Sequence, residues 1–206
     1  MTPARVAVSV LLLAFAPAAA LAQKGTTPLL AGPFPTAAGH SQFGGFVSIE
    51  DEIDVFALFR YGFESSLDFG LRAGYTGLFG GGAHVGGDIR YGIPNNNPDM
   101  PLTFAVIGGF QASFASNGNL LAFPLGVSIG AMVGGSDRAV LIYGLPRLTV
   151  ERVDRDARAS ETDLEFAVEF GTAIELTPTL SFEGNLAVAS NKGDNIALAL
   201  GLSYSK

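Results

Sequence analysis

Apolar and polar residues alternate along most of this chain with a period of two, the pattern of β-strands whose two faces meet different surroundings. Leu67, Phe69, Leu71, Ala73 and Tyr75 stand on one phase, and Asp68, Gly70, Arg72, Gly74 and Thr76 on the other. Residues 83–92 repeat this, with Ala83, Val85, Ile89 and Tyr91 against His84, Asp88 and Arg90. Leu164, Phe166, Val168 and Phe170 oppose Glu165 and Glu169, and Ile196, Leu198, Leu200, Leu202 and Tyr204 oppose Ala197, Ala199, Gly201 and Ser203. The same reading predicts ten strands, at 41–49, 53–63, 67–76, 83–92, 102–112, 120–133, 138–150, 163–176, 179–189 and 195–204. Turn clusters separate them, among them Glu64-Ser65-Ser66, the Pro-Asn stretch 94–101 and Thr177-Pro178.

Apart from Arg138 at the start of the seventh, no charged residue, His, Asn or Gln stands on the apolar phase of any of these segments. The opposite phase mixes Gly, Ala and Ser with unlike charges: Asp54, Arg60, Asp68, Arg72, Asp88, Arg90, Arg147, Glu165, Glu169, Glu175 and Glu183. Small residues among opposed charges suit the cramped interior of a narrow barrel. A sheet facing water would carry more Lys, and Lys occurs only at 24, 192 and 206. Segments of this length match the roughly 9–11 residues with which a tilted strand crosses a bilayer. Strands in lipid must form a closed barrel, because an open edge would leave amides unpaired in hydrocarbon. The predicted fold is therefore all-β: a closed antiparallel up-and-down transmembrane β-barrel, with ten strands favoured and eight or twelve also compatible.

Composition adds limits. Mean hydropathy is +0.36 and 48% of residues are hydrophobic, yet no apolar run after residue 22 is long enough for a membrane helix. Residues 1–22 read as a cleavable signal peptide: Arg5, the apolar run Val6–Ala16, then Ala20-Leu21-Ala22 as an A-x-A site, giving a mature start at Gln23. Residues 23–39, rich in Pro, Gly, Thr and Ala, read as an irregular N-terminal segment, and 40–206 as the barrel. The absence of Cys excludes disulfides and thiolate chemistry, and a net charge of −7 argues against nucleic acid.

On this pattern, over about residues 40–206 and without a diagnostic motif, the chain resembles the small outer-membrane barrel superfamily of opacity-type and OmpX-type proteins. The resemblance implies outer-membrane lipid and lipopolysaccharide as surroundings, and insertion by the barrel-assembly machinery. That machinery reads a C-terminal aromatic preceded by alternating apolar residues, which Leu198, Leu200, Leu202 and Tyr204 resemble. Two departures stand beside it: Ser205-Lys206 follow the aromatic, and Ala199 replaces a frequent Gly. With the termini in the periplasm, turns there would be 64–66, 93–101, 134–137 and 177–178, and outer loops 50–52, 77–82, 113–119, 151–162 and 190–194.

Candidate chemistry is sparse. A hairpin turning near Phe79 sets Asp68 against Arg90 and Arg72 diagonal to Asp88. With Arg60, Arg147, Glu165 and Glu169 these form a lumen charge network. Glu165, Glu169, Glu175 and Glu183 outnumber nearby bases, so any pore should prefer cations. His84 shares a face with Asp88, but no nucleophile spacing marks a catalytic site, and His40 and His84 are too far apart to suggest a metal. No catalytic residue, cofactor or metal is therefore expected. Phe63, Tyr75, Tyr91 and Phe110 suit an interfacial girdle, whereas Tyr143 points inward. Pro124 and Pro146 fall inside strands, where proline weakens a ladder. A turn near Gly135-Ser136 would place residue 124 opposite about 147, making the prolines cross-strand neighbours. Met132, Leu141, Tyr143 and Leu145, with Ile107 one strand away, would line an apolar pocket behind that seam. Palmitoyl-transferring outer-membrane barrels are similar in having proline-disrupted seams, but their catalytic residues find no match here. Three roles remain open: a structural or adhesive barrel with a filled or narrow lumen, a barrel handling lipid or hydrophobic ligands through the seam, and a narrow cation-preferring channel.

Overall fold

The computed structural model describes residues 27–50, 52–95, 100–135, 138–155, 159–190 and 195–206, so the expected signal peptide lies outside the described residues. Ten antiparallel strands follow one another: β1 (Ser41–Ile49), β2 (Ile53–Glu64), β3 (Leu67–Thr76), β4 (Gly82–Ile93), β5 (Thr103–Ala115), β6 (Gly118–Gly135), β7 (Arg138–Arg155), β8 (Glu161–Thr177), β9 (Leu180–Ala189) and β10 (Asn195–Ser205). β1 pairs with β2 through Val47↔Val55 and with β10 through Val47↔Leu200, which closes the sheet. Closure leaves every strand two neighbours, the condition for placing a sheet in hydrocarbon.

The alternation sorts residues as the sequence predicts. Leu125, Ile89 and Leu164 point outward and are 60–66% exposed, while Arg60, Asp68 and Glu169 point inward and are at most 1% exposed. The outward side chains form a continuous apolar belt, far beyond the scattered apolar residues a water-facing surface carries. Phe63, Tyr75, Tyr91 and Phe110 are exposed on it, and Tyr143 is buried inside. Near the rim where β1 begins and β10 ends (the terminal rim), Phe43, Phe59, Phe69, Phe63 and Tyr61 pack ring against ring, with centroids 5.0–6.1 Å apart.

β3 and β4 turn where expected, through a single 3-10 turn at Leu78–Gly80. Phe79 takes φ 52° and Gly80 and Gly81 φ 90°. At Gly81 the angle calls for glycine, since an L side chain rarely adopts φ 90°; a Cβ there would meet only the tip of the exposed Tyr75 ring. At the opposite rim (the far rim) the connections are tighter than expected. β5 and β6 leave only Ser116 and Asn117 between them, and β7 and β8 run on to Arg155 and from Glu161. β6, β7 and β8 reach 17–18 residues because a paired hairpin keeps its hydrogen bonds past the apolar belt, where water solvates both faces.

The two prolines are not cross-strand neighbours. Pro124 lies opposite Thr149, and Arg147 opposite Gly126, a register two residues away from the expected one. The hairpin turns between Gly135 and Arg138, one residue later than Gly135-Ser136, and each residue of delay moves the partner by two. Each proline interrupts the ladder on one side only. Between β5 and β6 the register passes from Gly108↔Leu125 to Gln111↔Ala122, skipping Pro124. Between β6 and β7 it passes from Gly126↔Arg147 to Ile129↔Gly144, skipping Pro146. Both prolines keep their other neighbour, as Pro124↔Thr149 and Pro146↔Val168. The missing donors thus produce two short lapses in adjacent seams, in place of one weakened seam.

Gly109 and Val127 stand opposite Pro124 and Pro146; their carbonyls lose the donors the prolines lack, so each pair keeps at most the one bond its own amide donates, and a lone bond opens more readily than a pair. In detergent, the Gly109 amide should exchange its hydrogen faster than those of Ile107 and Gln111, and Val127 faster than Leu125 and Ile129. Equal protection, read residue by residue by NMR, would show the ladders to be intact.

Candidate functional site

The lumen is occupied by the chain's own N-terminal segment. Residues 27–40 contain no strand or helix, and they run from the terminal rim up the inside of the barrel. Thr27, Leu29, Leu30 and Ala31 are at most 3% exposed. Three prolines, at 28, 33 and 35, deny the segment the donors a further strand would need. Its polar backbone must therefore find side-chain partners.

Those partners are the residues of the lumen charge network. At the rim, the Thr36 amide donates to Asp68 Oδ2 at 2.6 Å. Deeper, Arg90 donates to the Gly32 carbonyl at 2.8 Å, and Arg72 to the carbonyls of Pro28 and Leu29 at 3.0 and 3.2 Å. The Leu29 amide donates to both Glu169 oxygens, at 2.8 and 3.1 Å. Gln111 and Arg147 donate to the Thr27 carbonyl at 3.4 Å. Each of the arginines also holds a carboxylate: Arg72 pairs with Asp88 at 2.9 Å, Arg147 with Glu169 at 3.3 Å, and Arg90 with Asp68. Arg60 completes the cluster between Asp88 at 2.7 Å and Asp68 at 3.5 Å. Glu165 is buried on the same wall as Glu169, four residues nearer the far rim, and Glu175 is exposed.

The apolar side chains of the segment fill the pocket that the sequence leaves open. Leu29 and Ala31 pack with Ile107 and Leu145, and Leu30 packs with Phe46, Phe56 and Leu58 on the opposite wall. Leu30 takes φ 54°, a left-handed conformation that costs leucine about 1–3 kcal/mol and persists only where its surroundings hold it. Leu141 and Tyr143 approach Gly32, where a Cβ would lie 2.9 Å from Leu141 Cδ2. Met132 is 45% exposed and takes no part. Tyr143 accepts a 2.6 Å hydrogen bond from Asn185, and its ring occupies the space that Gly171 leaves free. A cavity of about 270 Å³ remains beside the segment near the terminal rim, between Phe34, His40, Gln42, Arg60, Tyr143 and Glu183.

The residues weighed for catalysis have other occupations. His84 is buried with Nδ1 3.1 Å from Ser113 Oγ, and Asp88 is taken up by Arg60 and Arg72. Among the described residues, no three His, Asp or Glu side chains are grouped to hold a metal. Sequence reasoning missed the segment itself. The signal for it was indirect, in inward apolar residues (Phe46, Phe56, Leu58, Ile107) that a polar lumen does not need.

No protein-family model matches the chain, and no curated protein matches it in sequence. Solved structures do resemble it. The N-terminal β-barrel domain of Pseudomonas aeruginosa OprF is 12% identical, covering 83% of this chain and 100% of that one, with a TM-score of 0.42. Neisserial surface protein A is 12% identical, covering 81% and 93%, with a TM-score of 0.42. Ail, the attachment invasion locus protein of Yersinia pestis, is 12% identical, covering 82% and 99%, with a TM-score of 0.38. Likenesses this distant carry no role across, so function rests on this chain's own residues.

The cluster sets a measurable coupling. Replacing Arg90 by Ala leaves Asp68 and the Gly32 carbonyl short of a buried partner, and should cost about 3–5 kcal/mol in urea unfolding from detergent micelles. The Asp68→Ala, Arg90→Ala double variant should lose less than the sum of the single losses. Simple additivity would show that the two side chains do not act as a pair.

Proposed function

We propose that this chain is a bacterial outer-membrane barrel whose lumen is closed by its own N-terminal segment, with a structural or adhesive role at the cell surface. The observation that carries this reading is the seating of residues 27–36 across the lumen. Their backbone is bonded to Asp68, Arg72, Arg90, Gln111, Arg147 and Glu169, from five different strands. The closed, outwardly apolar wall supports the membrane setting. Insertion by the barrel-assembly machinery is supported by Leu200, Leu202 and Tyr204, exposed on β10, the strand that closes the barrel. The extended β7 and β8 carry exposed Arg152, Asp154 and Glu161 beyond the belt, a polar surface suited to contacts outside the membrane. A lipid-handling role is less well supported, because Leu29 and Ala31 fill the apolar space it would use.

A latent cation path is favoured by one further observation. Among the described residues, the buried lumen charges are four arginines (60, 72, 90, 147) against seven carboxylates (54, 68, 88, 151, 165, 169, 183), a surplus of three negative charges when all are ionised.

The full chain should fractionate with outer membranes, resist carbonate extraction and show an unboiled gel band of altered mobility. It should stay silent in planar bilayers, while a variant lacking residues 27–36 should conduct and select cations. A soluble protein with a single mobility, or steady conductance by the intact chain, would overturn the closed-barrel reading. Anion selectivity of the shortened variant would overturn the cation path.

A further inference from the structure

We infer that the lumen is an exchangeable binding site for a strand-free peptide, and that residues 27–36 are its tethered ligand. The hydrogen bonds across the lumen fall on main-chain atoms: the carbonyls of Thr27, Pro28, Leu29 and Gly32 and the amides of Leu29 and Thr36. A wall that binds main chain in this way is built to receive peptide as such, with side-chain pockets setting preference, as in the recognition of extended peptides.

The pockets define the ligand class. One, made by Ile107 and Leu145, takes a large aliphatic side chain, and its opposite, made by Phe46, Phe56 and Leu58, takes the next. At Gly32 a Cβ would already lie 2.9 Å from Leu141 Cδ2 and 3.4 Å from the Tyr143 ring, so a larger side chain has to push Leu141 aside and the position favours a very small residue. The site therefore prefers a strand-free peptide with two adjacent large aliphatic residues, the second in the left-handed conformation of Leu30, followed by two small ones.

The tether is slight and accessible. Ala37, Ala38 and Gly39 are exposed at the terminal rim, joined to the wall through Gly39 N–H to the Gly62 carbonyl at 2.9 Å. The 270 Å³ cavity lies beside the segment at the same rim, between it and Ser41, Gln42 and Ser205, which gives a displacing peptide an approach. The inference deepens the closed-barrel reading and is tested apart from it, in detergent, where membrane location plays no part.

The full chain, carrying a protease site inserted at Ala37–Gly39, is folded first and cut afterwards. The chain contains no Trp, so a synthetic peptide of residues 27–36 with one Trp appended reports its own burial by fluorescence. The freed fragment should stay with the barrel and be displaced, saturably, by excess peptide. Peptides with Leu29→Asp or Gly32→Val should bind at least tenfold more weakly. A second arm leaves the chain uncut. Its natural sequence has no Cys, so the single thiol of an Ala31→Cys variant can be followed by alkylation, slow alone and accelerated by added peptide. A fragment that leaves on cutting without rebinding, a fragment that never exchanges, variant peptides that bind as well as the native one, or an alkylation rate indifferent to peptide would each overturn the site. Failure of exchange in a barrel that still seals bilayers would leave the proposed function standing; exchange in a barrel that never partitions into membranes would do the reverse.

Discussion

A stretch of backbone buried inside a barrel has polar groups that no strand ladder can reach, and this structure depends on how they are met. Leaving a buried donor or acceptor unpaired costs about 1–3 kcal/mol, and burying an unpaired charge costs more. Here the two problems solve each other. Arg72 spans Asp88 and the carbonyls of Pro28 and Leu29, Arg90 spans Asp68 and the Gly32 carbonyl, and Arg147 spans Glu169 and the Thr27 carbonyl. Asp68 and Glu169 use their remaining lone pairs on the amides of Thr36 and Leu29. The charge network is therefore not a set of ion pairs lining an empty tube. It has one layer in the wall and another in the segment, and neither is satisfied without the other.

The wall was legible in the sequence because its determinants are local. Alternation with period two, an apolar phase free of charge, and a turn near Phe79 lead to ten strands and to Asp68 facing Arg90. The segment was not legible, because Thr27–His40 has no period and its partners are distant in sequence: Leu29 to Glu169 spans 140 residues. A reading confined to facing strands assigns each arginine one carboxylate and has no reason to look for a carbonyl. It likewise reads Ile107, Leu141, Tyr143 and Leu145 as the lining of an open pocket, when Leu29, Ala31 and Gly32 are its contents. The register of β6 on β7 failed for a simpler cause, since a turn displaced by one residue moves every partner by two.

The wall is also shaped around what it contains. A Cβ on Gly62 would stand 2.2 Å from the Ala37 carbonyl oxygen and 2.3 Å from that of Thr36, and one on Gly92 would stand 2.8 Å from Pro35 Cγ. These glycines lie on the inward phase of β2 and β4, where the segment enters, and a side chain at either would narrow its passage. Gly44 and Gly201 make the same allowance for Phe46, whose ring stacks on Phe56 at 5.6 Å and supports Leu30. Glycine here serves space rather than turn geometry.

Topology explains how such a segment can be enclosed without threading. It leads directly into β1 through His40, and β1 meets β10, the last strand, to close the barrel. The hairpins from β2 to β10 pair neighbours in sequence and can form first, as local contacts generally do. The one long-range pairing among the strands, β1 with β10, then brings the first and last strands together and seals the wall behind the segment. Pro28, Pro33 and Pro35 keep the segment from competing for an open strand edge before that closure, because a proline offers no amide to a ladder. A segment barred from the sheet, with Leu29 and Leu30 to bury and its carbonyls within reach of Arg72, Arg90 and Arg147, has its best partners in the lumen.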